Sequence, residues 1–306
     1  MNSQVSSVCA VVITYHPDLE SLKTLLASLA SQVMQIVIVD NGSSESLELF
    51  AASQKHITNL VVLSLGENFG IGHAQNVGIE YAQNSCVDYV ALFDQDSCPE
   101  PDMIQSLCVA ASELQAAGTQ LAAVAPCYKD TKGGVLSTFV RVGLFGFKRT
   151  SLVQNSGPVE ADFLISSGSL IPISTIFDIG GVDASLFIDH VDTEWCFRAK
   201  AKGYKLFGVP NAIMLHSLGD HRIRFWFLRW RTVPYHSPFR YYYMFRNSII
   251  LQRRSYMPLN WKVADLGRCL RAFVFFGLFS SSRGACLKMM LRGLRDGIAG
   301  KISKMI

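Results

Sequence analysis

Several large protein classes are excluded by what this sequence lacks. Its eight cysteines are scattered and none forms a Cys-x-x-Cys pair, which argues against a zinc site or a disulfide framework and fits a reducing compartment. The opening residues, MNSQVSSVCAVVITYHPD, have no basic stretch ahead of the apolar one, so no signal peptide is expected. The longest apolar run of the tail, Ala272–Phe279, spans eight residues and is too short to cross a bilayer. There is no low-complexity segment and no internal repeat. The most informative scarcity is of acids near the C-terminus: residues 221–306 hold 2 Asp+Glu against 17 Lys+Arg, whereas residues 1–220 hold 22 against 11. The overall charge of +4 hides this division, which points to an anionic partner for the C-terminal segment.

What is present suits one large domain or one and a half: 306 residues, 49% of them hydrophobic. A short β-branched run at Val8–Thr14 and apolar runs at Gln35–Val39, Leu60–Leu65, Asp88–Phe93 and Leu121–Pro126 read as buried strands. Between them, helical patterns begin at Pro17-Asp18, run over Ile71–Ala82 and run over Pro101–Ala117. Strands alternating with helices predict right-handed crossovers and a mostly parallel sheet. Residues 133–156 read as loop and edge structure, and 162–171 as strand around a Ser-Ser-Gly break. A helix is expected over Asp192–Lys202, ended by Gly203, then strands over Tyr204–Val209 and Ala212–Leu215, and helices in the last 45 residues with boundaries at Pro258 and Ser280–Gly284.

In such sheets ligands bind beyond the carboxyl ends of the strands. Thr14, Asp40 with Asn41, Glu67 with Asn68, and Asp94 with Asp96 all follow strands, so four consecutive strands deliver polar side chains to one rim. Asp94 and Asp96 stand at i and i+2 after an apolar strand, the same face of extended chain. At roughly 5 Å and an effective dielectric near 20 their repulsion is about 3 kcal/mol. A divalent cation held by hard oxygen ligands would offset it; an Asx-type turn before Pro99 is the plainer alternative. Asp40 has the chemistry to accept from N3–H of uracil or thymine, although Asn41-Gly42 is also an ordinary turn signal. Asn68, Gly70 and Asn76 flank a loop that enters a helix, either approaching a nucleotide or simply starting the helix.

Six ordered motifs over about residues 8–250 resemble the family 2 glycosyltransferases of the GT-A fold, and among them bacterial rhamnosyltransferases of surface polysaccharide assembly. They are VVITYHPD (11–18), VIVDNGS (37–43), NFGIGHAQNVG (68–78), FDQDSCPEP (93–101), GGVDASLFIDHVDTEWCFRAKAKGY (180–204) and SPFRYYYMFRN (237–247). The resemblance implies an α/β fold with a Rossmann-like, mostly parallel central sheet flanked by helices; beyond it, composition and helical patterning give a basic helical C-terminal extension. It implies a catalytic domain over 1–250, with a nucleotide-sugar half to about 130 and an acceptor half after it, and a separate segment over 251–306. It places Thr14 near the base and makes Asp94 and Asp96 an Asp-x-Asp pair for Mg²⁺ or Mn²⁺. Asp96 is then the more direct ligand, Asp94 lies nearer the ribose, and a His at position 216 can complete the site.

By the same resemblance Asp192 is the general base that deprotonates an acceptor hydroxyl, although Asp is also a favoured N-cap. Many relatives carry Glu where this chain has Val191, so Asp189 or Glu194 would have to compensate. Glu194 has the plainer role of pairing with Arg198 at i+4. Trp195 is a wall for an acceptor sugar or part of the core. Arg240 and Arg246 either neutralise a diphosphate or belong to the basic surface. The basic tail, rich in Phe and Leu, suits interfacial helices on an anionic leaflet, or a cap packed on the domain or a second subunit.

The expected partners are a nucleotide-diphosphate sugar donor, a glycan acceptor on a polyprenyl diphosphate carrier and the cytoplasmic face of a bacterial inner membrane; nucleic acid is not among them. Two rival classes fit less well. A sugar-nucleotide pyrophosphorylase would have a glycine-rich loop after the first strand, where this chain has Thr-Tyr-His-Pro-Asp. A purely membrane- or nucleic-acid-binding protein leaves the rim acids unexplained.

Overall fold

The computed structural model describes residues 6–130, 136–143, 146–150, 157–216, 221–227, 229–280, 282–302 and 304–305, with only the backbone for 130, 146–147, 216, 221–227 and 229–234. The chain opens with strand β1 (Val8–Thr14) and helix α1 (Leu19–Ala30), then β2 (Gln35–Asp40), α2 (Leu47–Ser53), β3 (Leu60–Ser64), α3 (Ile71–Asn84) and β4 (Tyr89–Asp94). There follow β5 (Ser97–Pro99), α4 (Met103–Ala116), β6 (Leu121–Asp130), the β7 (Val140–Gly143) and β8 (Gly146–Arg149) hairpin, β9 (Val159–Ala161) and β10 (Leu170–Pro172). The remainder comprises α5 (Ile173–Ile179), α6 (Val191–Ala201), β11 (Lys205–His216), the β12 (His221–Phe227) and β13 (Arg229–Tyr235) hairpin, α7 (Pro238–Gln252), α8 (Leu259–Phe279) and α9 (Arg283–Ile298).

The central sheet is mixed but mostly parallel. Its order is β3-β2-β1-β4-β10-β6-β11-β5, with β9 on β11. β10, β5 and β9 run against the others. Strand alternation explains the two cores. Cys9, Val11 and Ile13 face one layer, with α3, α5 and α6, while Val8, Ala10 and Val12 face the other, with α1 and α4. Helix α1 starts where Asp18 caps it, its carboxylate accepting from the Ser21 amide at 2.8 Å, and buries Leu22, Leu25, Leu26 and Leu29 as one stripe.

The structure departs from the sequence reading in places. Residues 162–169 are irregular rather than strand. The two strands expected over 204–215 are one, β11, interrupted by a register shift between Val209 and Ile213. The boundary drawn near residue 250 falls inside α7, whose Tyr241 and Phe245 share a hydrophobic cluster with Cys269 and Phe276 of α8 and Cys286 and Met290 of α9. The last three helices therefore form one packed unit. Among the described residues no helix is long and apolar enough to cross a membrane.

Candidate active site

Parallel pairing aligns the strand ends. Thr14 lies opposite Asp40 in β1/β2, and Ile13 opposite Asp94 in β1/β4. Thr14 is buried and its hydroxyl donates to Asp40 Oδ1 at 3.1 Å. Ser43 caps the same carboxylate through both its amide (3.1 Å) and its hydroxyl (2.5 Å). Asn41 and Asn68 lock the neighbouring loops: Asn41 Nδ2 donates to Asn68 Oδ1 at 3.1 Å, and its Oδ1 accepts from the Phe69 amide at 2.9 Å. Gly70 has φ +89°, and a Cβ there would stand 2.6 Å from Phe187, so this turn excludes other residues on two counts.

The acid pair is arranged differently from the extended geometry expected. β4 ends at Asp94, and the chain turns at Gln95–Asp96, leaving Asp96 exposed. Gln95 ties that turn to β1, accepting from the Tyr15 amide at 2.7 Å. Burial, with the charges of Asp192 and Asp96, pushes Asp94 up to about 7, while Arg240 pulls it down. A doubly positive ion at this pair would reverse the balance, and carboxylate oxygens are the ligands Mg²⁺ and Mn²⁺ take, so the residues fit such an ion. Asp94 and Asp96 would hold it. Among the described residues no third His, Cys, Asp or Glu joins them in a cluster. The backbone of His216 ends β11 opposite Ser97, beside this turn, but its side chain lies outside the described residues.

Asp192, in the first turn of α6, approaches the same place from the far side of the chain. The intervening piece is the Ser-Ser-Gly break. The Ser166 amide donates to Asp192 Oδ2 at 3.1 Å, and the Ser167 hydroxyl accepts from the Asp94 amide at 3.0 Å. Gly168 has φ +76° and its would-be Cβ meets Pro126 at 2.7 Å, which accounts for the glycine. Burial raises the Asp192 carboxyl, and the Ser166 hydrogen bonds hold it down. Before it, Phe187, Asp189 and His190 all take positive φ, a strained approach held by partners: Arg240 pairs with Asp189 at 3.0 Å and Asp265 with His190 at 3.2 Å.

Three expected site residues serve the scaffold instead. Glu194 is 1% exposed, with Arg198 donating to both its oxygens (2.8 and 3.0 Å) and Tyr256 donating as well, so its carboxylate is turned into the interior and its proposed proton-transfer role is withdrawn. Arg246 is 0% exposed, donates to the Ser185 and Leu186 carbonyls and stacks on Tyr243, leaving it no path to a diphosphate. Asn76 clamps Val182, donating to its carbonyl and accepting from its amide at 2.9 Å each. Trp195 is core, its indole N–H bonded to the Gly180 carbonyl. The cation that acts on Asp94 is Arg240. Ser166, Ser167 and Gln95 escaped the sequence reading as site elements, although the Ser-Ser-Gly break was a visible signal; Asp189 and Arg240 were candidates, but not as partners of each other.

The profile of Glycosyl transferase family 2 matches residues 9–171. The dTDP-rhamnosyl transferase RfbF of Shigella flexneri is 28% identical over 298 residues, 96% of each chain. Among solved structures, GalNAc-T7 with UDP, GalNAc and Mn²⁺ superposes with a TM-score of 0.64 at 13% identity, over 97% of this chain and 57% of that one. The mannosyltransferase PcManGT of Pyrobaculum calidifontis, with GDP-Man and Mn²⁺, gives 0.56 at 12%, over 97% of this chain and 88% of that one. S. aureus TarS with UDP-GlcNAc gives 0.57 at 16%, over 96% and 81%. At such identities these three show the shared GT-A-like fold.

Proposed function

The chain belongs to glycosyl transferase family 2 and is a glycosyltransferase; from that premise we propose that it is an inverting enzyme moving L-rhamnose from dTDP-L-rhamnose to a hydroxyl of a growing glycan. The donor assignment is supported by the likeness to the Shigella protein. The acceptor glycan is carried on a polyprenyl diphosphate at the cytoplasmic face of a bacterial inner membrane, as part of an O-antigen-like surface polysaccharide. Anionic lipid there suits the basic tail.

One observation carries the mechanism: Asp192 and Asp94, from opposite halves of the chain, are bonded to the adjacent residues Ser166 and Ser167, at 3.1 and 3.0 Å. Asp192 takes the proton of the acceptor hydroxyl as that oxygen bonds to the anomeric carbon. The bond from that carbon to the diphosphate oxygen breaks, and its electron pair leaves with dTDP. Attack opposite the leaving group inverts the configuration. Asp40, with Thr14 and Ser43 around it, receives the base, and Asn41 and Asn68 hold the loops that flank it. Arg240 faces the diphosphate. Asp94 and Asp96 would hold Mg²⁺ or Mn²⁺, which would supply Lewis-acid stabilisation of the leaving group.

The rival within the same fold is a different nucleotide sugar. A panel of dTDP-, UDP- and GDP-sugars with Mn²⁺ separates the two, since a ligand that binds the native state raises the melting point by mass action. We expect dTDP-L-rhamnose to give the largest shift and to be the donor consumed; a larger shift and turnover with UDP-GlcNAc would replace that assignment. Asp192→Asn is expected to keep the donor-induced shift and to lose about 10²–10⁴ in rate. Full activity in that variant would move the base elsewhere.

A further inference from the structure

Gln75 sits inside the NFGIGHAQNVG motif, on α3, and is 1% exposed. A buried amide side chain at a helix face that packs on a sheet is costly unless both ends are bonded. Here one end is and one is not. Nε2 donates to Ser166 Oγ at 3.0 Å, while Oε1 has no partner among the described residues. A leucine or methionine would fill this position without an orphaned oxygen. The amide is therefore retained for what its nitrogen does.

What its nitrogen does is orient Ser166. The Ser166 amide donates to Asp192 Oδ2 at 3.1 Å, and the Ser166 side chain also helps to hold the Asp192 carboxyl down. Behind Asp192 lies a small, almost wholly apolar cavity bounded by Leu164, Ser169, Val182, Trp195 and Cys196. Of its lining residues beside Asp192, only Ser166 and Ser169 carry a hydroxyl. A base that must meet a hydroxyl within hydrogen-bond reach loses much of its effect when it is free to turn.

We propose that Gln75 and Ser166 are positioning residues of the transfer reaction: Gln75 Nε2 holds the Ser166 hydroxyl and the Ser166 amide holds Asp192 Oδ2, so the donor-side helix fixes the rotamer of the base. The inference rests on Asp192 being the base. Through Ser166 and its neighbour Ser167, which accepts from the Asp94 amide, one loop then sets both the donor-side acid and the acceptor-side acid.

The test compares initial rates of Ser166→Ala, Ser166→Thr, Gln75→Leu and Asp192→Asn in the full chain, with dTDP-L-rhamnose and Mn²⁺, together with donor KM and melting temperature. Ser166→Ala and Gln75→Leu should each lower kcat about tenfold while leaving donor KM within twofold. Ser166→Thr, which keeps the hydroxyl, should restore most of the rate. Ser166→Ala added to Asp192→Asn should cost nothing more, because the tether has nothing left to hold. If Asp192→Asn is inactive while Ser166→Ala and Gln75→Leu retain wild-type kcat, the positioning role is overturned and the base assignment stands. If Asp192→Asn is active, the base assignment itself fails. Losses that follow melting temperature, or that Ser166→Thr does not relieve, would reduce both residues to packing; should Gln75→Leu not fold, Ser166→Ala and Ser166→Thr decide alone.

Discussion

The donor side and the acceptor side of this site are built on different principles. The donor side is a row of strand ends. Thr14, Asp40 and Asp94 lie on three adjacent parallel strands whose register alone lines them up. The acceptor side has no such frame. Asp192 reaches the site through a loop with positive φ at Phe187, Asp189 and His190, pinned by Arg240 from α7 and by Asp265 from α8. A regular sheet positions residues through the backbone; an irregular loop needs partners, and those partners come from distant sequence.

The sharpest way to break this comparison uses two acids on one helix. Asp192→Asn should cost about 10²–10⁴ in kcat at little change in melting temperature. Glu194→Gln should do the reverse. It leaves Arg198 without its charge partner, costs about 2 kcal/mol and lowers melting by several degrees, while kcat per folded molecule holds. Equal losses of kcat in both variants would dissolve the distinction between site and scaffold on α6.

A second test turns on Asp94. Its carboxyl is raised from 3.8 to about 7, so the stability its neutral form provides is complete below pH 3.8 and lost as pH rises through about 7. Asp94→Asn should therefore abolish transfer yet melt a few degrees higher than wild type at pH 8 without ligands, with no such gain at pH 3.5. Mn²⁺ with donor should stabilise wild type and leave the variant unmoved. An unchanged or lower melting point at pH 8 would show that the buried charge is already compensated.

The next effect is on the pH profile. Burial raises Asp192, and the base works only when ionised, so the acid limb of kcat/KM should lie above the ordinary carboxylate range. A limb near pH 4 would contradict this. The smallest effect concerns α8, where Leu259, Val263, Leu266, Leu270, Val274 and Leu278 form an exposed stripe. The two acids of the last helices, Asp265 and Asp296, are buried in ion pairs, so the described outer surface there shows Arg271, Lys288 and Arg295 without an exposed acid. Leu270→Glu should reduce co-sedimentation with anionic vesicles severalfold while melting and activity on a soluble acceptor stay near wild type. Unchanged vesicle binding would assign the stripe to another partner.

The donor side was the readable one for a physical reason. Hydrophobic runs that end in polar residues report strand ends directly, and strand ends are where this half of the site sits. On the acceptor side the residue types were right but their directions were not. Asp192 and Glu194 are two residues apart on a helix, about 200° around its axis, so only one of them could face the site. Arg240 and Arg246 stand about 120° apart around α7, and tertiary packing decided that Arg246 goes inward under Tyr243. The extended spacing of Asp94 and Asp96 misled because a turn at Gln95, stapled to Tyr15, replaced the strand.

The last two helices, set apart as a separate segment in the sequence reading, act as a brace. Asp265 of α8 bonds His190, Arg254 ahead of α8 bonds Asp183, and Lys304 reaches Glu67 on the donor rim at 3.8 Å. A chain cut before Leu259 would keep every residue assigned to chemistry and still release the loop that presents the base. Exchanging these tails between relatives would thus exchange part of the acceptor loop's anchorage, and His190 would have to travel with the graft.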